Sequence, residues 1–596
     1  MRLASEQTTS FALGANDSAA QDGYRPEESQ RIVNFRPTLQ GRSIKVRGGT
    51  WSPMGIAIPT TTYAPVGAKR WVLTDGTQQI VMLDTNNDLW YSNDEGLTWT
   101  DGGNIGGATK AKRWSFAVIR EGAANVLCLA GGHTSSYQWT GSSLSAISNI
   151  PSGVSLLAVH GNRLIASGHS GIDVAASKVG DIDVWAEPDG WTVKAATHDG
   201  DTEITGLFTL GSVIMVFKRE SVGYIEGFGF NTLQVETGAR GLSRSVGCIA
   251  HRSIAPLGDS GVMWLSERGF ESYYLGGQVT LASERMQAFV DSILMDEITS
   301  NGYGIPSAIW LPREREYWCA VPVGAFYIGE LGNANGYLGN TYIFCYRPPT
   351  QTTPDAMWCF KFADNPSSTT TNSDQTPYSL SVDSDGFLGL NTDTTGQEVT
   401  VGNGGALQLV ARNEYGLNVH IENNGALSLG VAGFTKTGEF NGDLLPSSLI
   451  VLDRGGELSR PAMFSLMNWF YYLDDASVGD DGRRADTVIS DVRDIEAVSR
   501  LRPLLFGAQF NRKKAKRVRV QSSQIKASTV NVRVYADGVA GATQALTIAG
   551  SSRGRALEST ARVGGRGRVL EVELTTADQV DIVACDVLAQ VLSDRP

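Results

Sequence analysis

Along most of this chain apolar and polar residues alternate over short runs, and Gly, Asn and Asp separate the runs. A period of two predicts strands with one buried face, joined by tight turns. The pattern turns repetitive from about residue 50. Ala68-Lys69-Arg70-Trp71 recurs as Ala111-Lys112-Arg113-Trp114, about 43 residues on, and each copy opens a run of short strands. The first run has turn signals at Asp75-Gly76 and Asn86-Asn87, the second at Glu121-Gly122 and Gly131-Gly132. Four short strands on a period of about 40–45 residues make a propeller blade. Looser units follow at 156–191, 204–230, 249–281 and 308–362, which makes about six blades, with a seventh left open. The strand pair from Ser379 reads as closing the ring.

Helical spacing is scarce. The best amphipathic stretch is 283–298, with Glu284, Met286, Phe289, Ile293 and Ile298. The predicted fold class is therefore all-β, a β-propeller with a β-rich insertion and a C-terminal β-sandwich. Its expected divisions are an N-terminal arm and first strand over 1–50 and the propeller over 51–394. A Gly/Asn-rich β insertion follows over 395–460, then an apolar connecting or interface segment over 461–500, and a basic sandwich over 501–596. The first thirty residues are polar and read as an extended arm that a partner orders. Residues 363–376 read as an exposed loop.

Composition sharpens this picture. The chain has 596 residues, 41% hydrophobic and 19% charged, so it can bury a sizeable core and is not disordered overall. A net charge of -12 argues against a general nucleic-acid binder. That charge is uneven. Residues 501–570 hold fourteen Lys and Arg against Asp537 and Glu558, about +12, which leaves about -24 elsewhere and suggests two different faces or partners. The six cysteines are scattered with no C-x-x-C pair, which suits a reducing cytoplasm better than a disulfide framework. No apolar signal region opens the chain, and the apolar run 207–217 is far short of a membrane helix.

Ser92-x-Asp94-x-Gly96-x-Thr98-Trp99 matches the Asp-box pattern. Its carboxylate can hold the turn's own amides, Gly96 permits positive φ and Trp99 packs beneath. It supports a propeller turn far more than hydrolysis. Arg313-Glu314-Arg315-Glu316-Tyr317 reads, by strand alternation, as a solvated, charge-paired edge. The six histidines make no metal-binding spacing, and His198-Asp199-Gly200-Asp201 reads as an acidic turn between blades. There is no G-x-S-x-G elbow and no phosphate loop. No catalytic, cofactor-binding or metal residue is assigned, and no cofactor is expected. The sharpest charge cluster is the candidate interface Arg512, Lys513, Lys514, Lys516, Arg517 and Arg519. A solvated strand entry, a protein interface and a DNA contact stay open for it. It lacks interleaved aromatics, which argues against single-strand stacking.

Three segments carry a family resemblance: Val216-Phe217-Lys218-Arg219-Glu220-Ser221-Val222, Gly247-Cys248-Ile249-Ala250-His251-Arg252-Ser253-Ile254, and Met263-Trp264-Leu265-Ser266-Glu267-Arg268-Gly269. With Val33-Asn34-Phe35, 163–167 and 183–185, the chain resembles the β-propeller tail nozzle, tail tubular B or DNA-stabilisation proteins of short-tailed bacteriophages. The resemblance covers about 30–360 and 505–596; nothing in 395–480 matches it. It implies a non-enzymatic virion protein, made in the host cytoplasm and sited in the virion tail. It also implies a homohexamer that meets the portal-adaptor and tail fibre or needle proteins, with double-stranded DNA passing through the ring. The alternative is a glycan-binding or sialidase-like propeller, which needs an arginine triad or a paired acidic site at one mouth. A receptor-binding fibre would show a repetitive sequence, and none is seen.

Overall fold

A computed structural model describes most of residues 2–361 and 497–592, apart from stretches that include 52–64, 107–113, 196–202, 228–233 and 324–341. Between 364 and 496 it describes eight short strands. Two compact units result: Met1–Ala363 with Leu444–Pro596, and Asp364–Asp443.

The first unit holds the propeller. Five separate four-stranded antiparallel sheets run in chain order, over Pro65–Asn104, Ser115–Ala146, Leu156–Lys194, Ile204–Glu236 and Ala255–Leu281. A sixth meander, Ser307–Lys361, has the same form. These are the six predicted units. The ring closes through a three-stranded sheet of Leu449–Leu452, Ala462–Ser465 and Thr50–Trp51, the last pairing in parallel. Its strand Leu449–Leu452 lies beside the first strands of the sixth and first blades. The pair expected to close the ring, Ser379–Val382 with Leu388–Asn391, instead belongs to the second unit. That unit begins at 364 rather than 395, and also contains a four-stranded antiparallel sheet over Glu398–Val431. The exposed loop expected at 363–376, His198-Asp199-Gly200-Asp201 and most of 461–500 lie outside the described residues.

The C-terminal sandwich is not a separate appendage. Its first sheet pairs Lys513–Ser522 with Leu557–Arg562 on one side and Asp581–Val591 on the other. Its second sheet continues from the sixth blade through Gly14–Ala15, Glu28–Val33, Ala497–Leu501 and Leu570–Thr576 to Ser528–Ala536. One apolar core therefore runs from Phe270, Phe344 and Trp358 of the blades to Val518, Val572 and Val587 of the sandwich.

The free N-terminal arm is corrected here. Arg2–Thr8 is a strand of the sandwich, antiparallel to Asp581–Val591, with Arg2 opposite Val591 and Thr8 opposite Cys585. The partner that orders it is this chain's own C-terminal strand. Main-chain pairing does the ordering, helped by Glu6, which pairs with Arg502 and accepts from the Phe506 amide at 2.9 Å. The helix expected over 283–298 is broken: a 3-10 turn, Glu284–Met286, and five α residues, Gln287–Asp291, end before a bridge at Ile293, and Met295 and Ile298 are helical again. Its apolar positions Met286, Phe289, Ile293 and Ile298 are all buried in the core.

Candidate functional site

Three sets of polar residues decide what the molecule can do: the blade seams, the propeller axis and the cationic face of the sandwich. The seam between the first two blades centres on Gln79, which is fully buried. Its Oε1 accepts from the indoles of Trp71 at 3.1 Å and Trp139 at 2.6 Å; its Nε2 donates to Asn93 Oδ1 and Gly141 O. Every hydrogen-bonding capacity of this buried amide is used, as burial demands.

The Asp-box lies next to that seam, between the third and fourth strands of the first blade. Asp94 Oδ1 accepts from Ser92 Oγ at 2.7 Å and from the Thr98 amide at 2.9 Å, and Oδ2 accepts from Thr98 Oγ1 at 2.6 Å. Burial pushes the Asp94 carboxyl up, but the bonds from Thr98 and Ser92 outweigh it and hold the group below its usual range. Trp99 is buried beneath the turn; Gly96 lies outside the described residues. The carboxylate is consumed by its own turn, so the geometry is that of a clasp.

The axis is occupied by the turn His251–Ser253, which precedes the fifth blade. His251 Nδ1 accepts from the Leu207 amide on the first strand of the fourth blade at 3.4 Å. Its Nε2 lies 3.1 Å from Ser115 Oγ on the first strand of the second blade. The ring is thus the neutral Nε2–H tautomer, and Ser115 Oγ accepts again from the Leu157 amide of the third blade. Ser253 O accepts from Tyr317 OH of the sixth blade at 2.7 Å. A turn that reaches blades on opposite sides of a ring lies across its axis. Lys69 on the first strand of the first blade is solvent-accessible, yet protein encloses it; burial and then Arg252 lower its pKa. Burial also lowers Arg252 to about 10, and burial with Arg252 lowers His251 to about 4. These three basic groups lie together, enclosed by protein, at the turn.

The clamp is local. Gly247 has no room for a side chain, because a Cβ there would lie 1.9 Å from Lys218 O. The Cys248 amide donates to that same carbonyl at 2.8 Å, and Trp264 Nε1 donates to Gly247 O at 2.8 Å. Ser253 Oγ donates to Ala250 O and accepts from the Leu265 amide.

The cationic strand divides in two. Lys513 is fully buried, and its ammonium donates to the carbonyls of Asn511 and Arg568. It is a structural cap, which corrects its place in the candidate interface. Arg519 is taken by Asp586 at 2.6 Å and Glu558 at 3.3 Å. Arg512, Lys514 and Arg517 are exposed and Lys516 is half-buried; none pairs with an acid among the described residues. A register shift between Ala515 and Arg517 changes the phase of the strand. Lys513, Ala515, Val518 and Val520 therefore face inward, while Lys514 and Arg517 face out. Across the sheet, Lys514 stands opposite Arg566 and Arg517 opposite Arg562, and both arginines are exposed. The sequence pattern showed the charges but not these cross-strand partners, since register is a tertiary property.

The charged run 313–317 is corrected too. One strand ends at Leu311 and the next begins at Glu316, with Arg315 between them at positive φ, so strand alternation does not apply; Arg313 lies outside the described residues. Glu316 is fully buried and pairs with Arg36 at 3.0 Å and with Arg347. Trp318 Nε1 donates to its other oxygen at 3.0 Å, and Arg347 also donates to Pro37 O and Thr38 O. This network ties the N-terminal segment to the sixth blade. Among the described residues no group of three or more His, Cys, Asp or Glu is placed to hold a metal. No described helix is long and apolar enough to cross a membrane.

These sheets and seams define an all-β propeller fused to a sandwich. No protein-family model matches the chain, and no curated protein matches it. Among solved structures it is similar to RRP9 WD40 repeats at 10% identity and TM-score 0.31, over 55% of this chain and 86% of that one. It is also similar to YCF48 bound to D1 peptide at 13% identity and TM-score 0.31, over 56% and 89%. The propeller assignment rests on the chain's own sheets.

Proposed function

We propose that this chain is a structural virion protein of a short-tailed bacteriophage. It is a tail nozzle or hub subunit, sited in the virion tail below the portal and adaptor. It works without catalysis, as a homohexamer whose central ring passes double-stranded DNA.

The observation that carries this reading is the convergence of the three resembling segments. The first, 216–222, supplies Lys218 O; the second, 247–254, is the axial turn; the third, 263–269, supplies Trp264 and the Leu265 amide. Three pieces within 216–269 thus build one clamp, so the resemblance follows a physical unit rather than scattered composition. The clamp also bears on mechanism. Because the turn His251–Ser253 reaches across the propeller to three blades, we place the conduit between subunits. The sheet shared by the sixth blade and the sandwich suits a part that carries load. A net charge of -12 keeps passing DNA from sticking.

Negative-stain microscopy of the purified chain, with class averaging, tests the reading. Six-fold rings with a central hole are expected. Single discs that bind or hydrolyse a glycan would replace it with the glycan-active propeller.

A further inference from the structure

The cationic face of the sandwich is built against its own stability. Like charges directly opposite on neighbouring strands destabilise a sheet, and here two such pairs, Lys514 with Arg566 and Arg517 with Arg562, stand exposed on one face. Cations often protect sheet edges from unwanted pairing, but that does not explain this case. Lys514 and Arg517 sit on a strand hydrogen-bonded on both sides, with no edge to protect.

We infer that this face docks on an acidic surface of a second copy of the same chain. The charge balance names the occupant. Residues 501–570 carry about +12 while the rest of the chain carries about -24, so the chain's own sequence supplies the complementary charge. Glu187 and Asp189 are exposed on the third blade, whereas Asp181 there is already paired with Lys178. A contact between two different patches is head-to-tail and closes into a ring when its rotation allows. Duplex DNA fits less well as the occupant, because a cationic face in a conduit would retain the strand it must release. The inference rests on the homo-oligomer of the proposed function and adds its contact surface.

Sedimentation velocity of the full chain tests it, at about 50 mM and about 500 mM salt, where screening differs most. The wild type is compared with Arg517→Glu/Arg562→Glu and with the exposed control Lys194→Glu, and thermal melting checks that each folds. The wild type should assemble at low salt and dissociate at high salt. The double variant should lose about ten-fold or more in association, while the control assembles as the wild type does. A wild type that is monomeric at low salt overturns the docking, yet leaves the nozzle reading to its own ring test. Rings unaffected by the double variant overturn the docking and keep the nozzle. Duplex DNA binding lost in the double variant, with assembly intact, assigns the face to nucleic acid instead.

Discussion

Glu316 and Arg517 lie in the same molecule under opposite rules. Around the fully buried Glu316, two guanidinium groups and an indole meet the carboxylate, and two carbonyls accept from Arg347. Around Arg517 a second arginine stands directly opposite, and no acid among the described residues answers it. The first arrangement holds an N-terminal segment against a blade. The second does nothing for its own sheet. The difference separates charges that maintain the fold from charges left for a partner, and each can be tested separately.

The largest effect belongs to the buried network. Glu316→Ala leaves Arg347 buried without its counter-charge and should cost about 3–5 kcal/mol in denaturant unfolding. A loss under about 1 kcal/mol would mean that water reaches the site. Next comes Gln79→Leu, which strands the indole N–H groups of Trp71 and Trp139. It should cost about 2 kcal/mol or more, read the same way.

The axial turn gives a smaller, pH-dependent effect. His251 has a folded pKa of about 4 against an ordinary 6.5. Between these values the unfolded chain binds the extra proton, so stability is full above about 6.5 and falls as pH drops towards 4. His251→Gln should flatten that slope in unfolding midpoints taken across the window. Equal slopes would show that the imidazole is not clamped as described.

The smallest effect sharpens the contrast most. Arg517→Gln removes one half of a like-charge pair and should leave stability unchanged or raise it by up to about 0.5 kcal/mol. A clear loss of stability would move Arg517 into the structural class.

Much of the propeller was legible because alternation and turn residues are local signals. The six blades follow the predicted units, and the Asp-box could be placed on a turn from its spacing alone. What stayed hidden depends on partners distant in the chain. Arg2–Thr8 carries little apolar content, so nothing local reveals that it pairs with the C-terminal strand. The turn before Glu316 reverses the expected alternation, and the arginines that neutralise it lie far away in sequence. The shift at Lys516 exchanges inward and outward positions in the basic strand, which moves Lys513 from the candidate interface into the interior. The axial cluster was quoted only as a stretch of resemblance. His251 becomes informative once Ser115 and Leu207 are seen to meet it.

The central claim is that the exposed cations of the sandwich serve a neighbouring copy. Zero-length carboxyl–amine cross-linking of an equal mixture of isotopically light and heavy chains, read by mass spectrometry, tests it most directly. The account predicts Lys514 or Lys516 joined to Asp or Glu residues in mixed-isotope pairs, lost at high salt. Cross-links of these lysines found only within one chain, with mixed pairs absent, would contradict it.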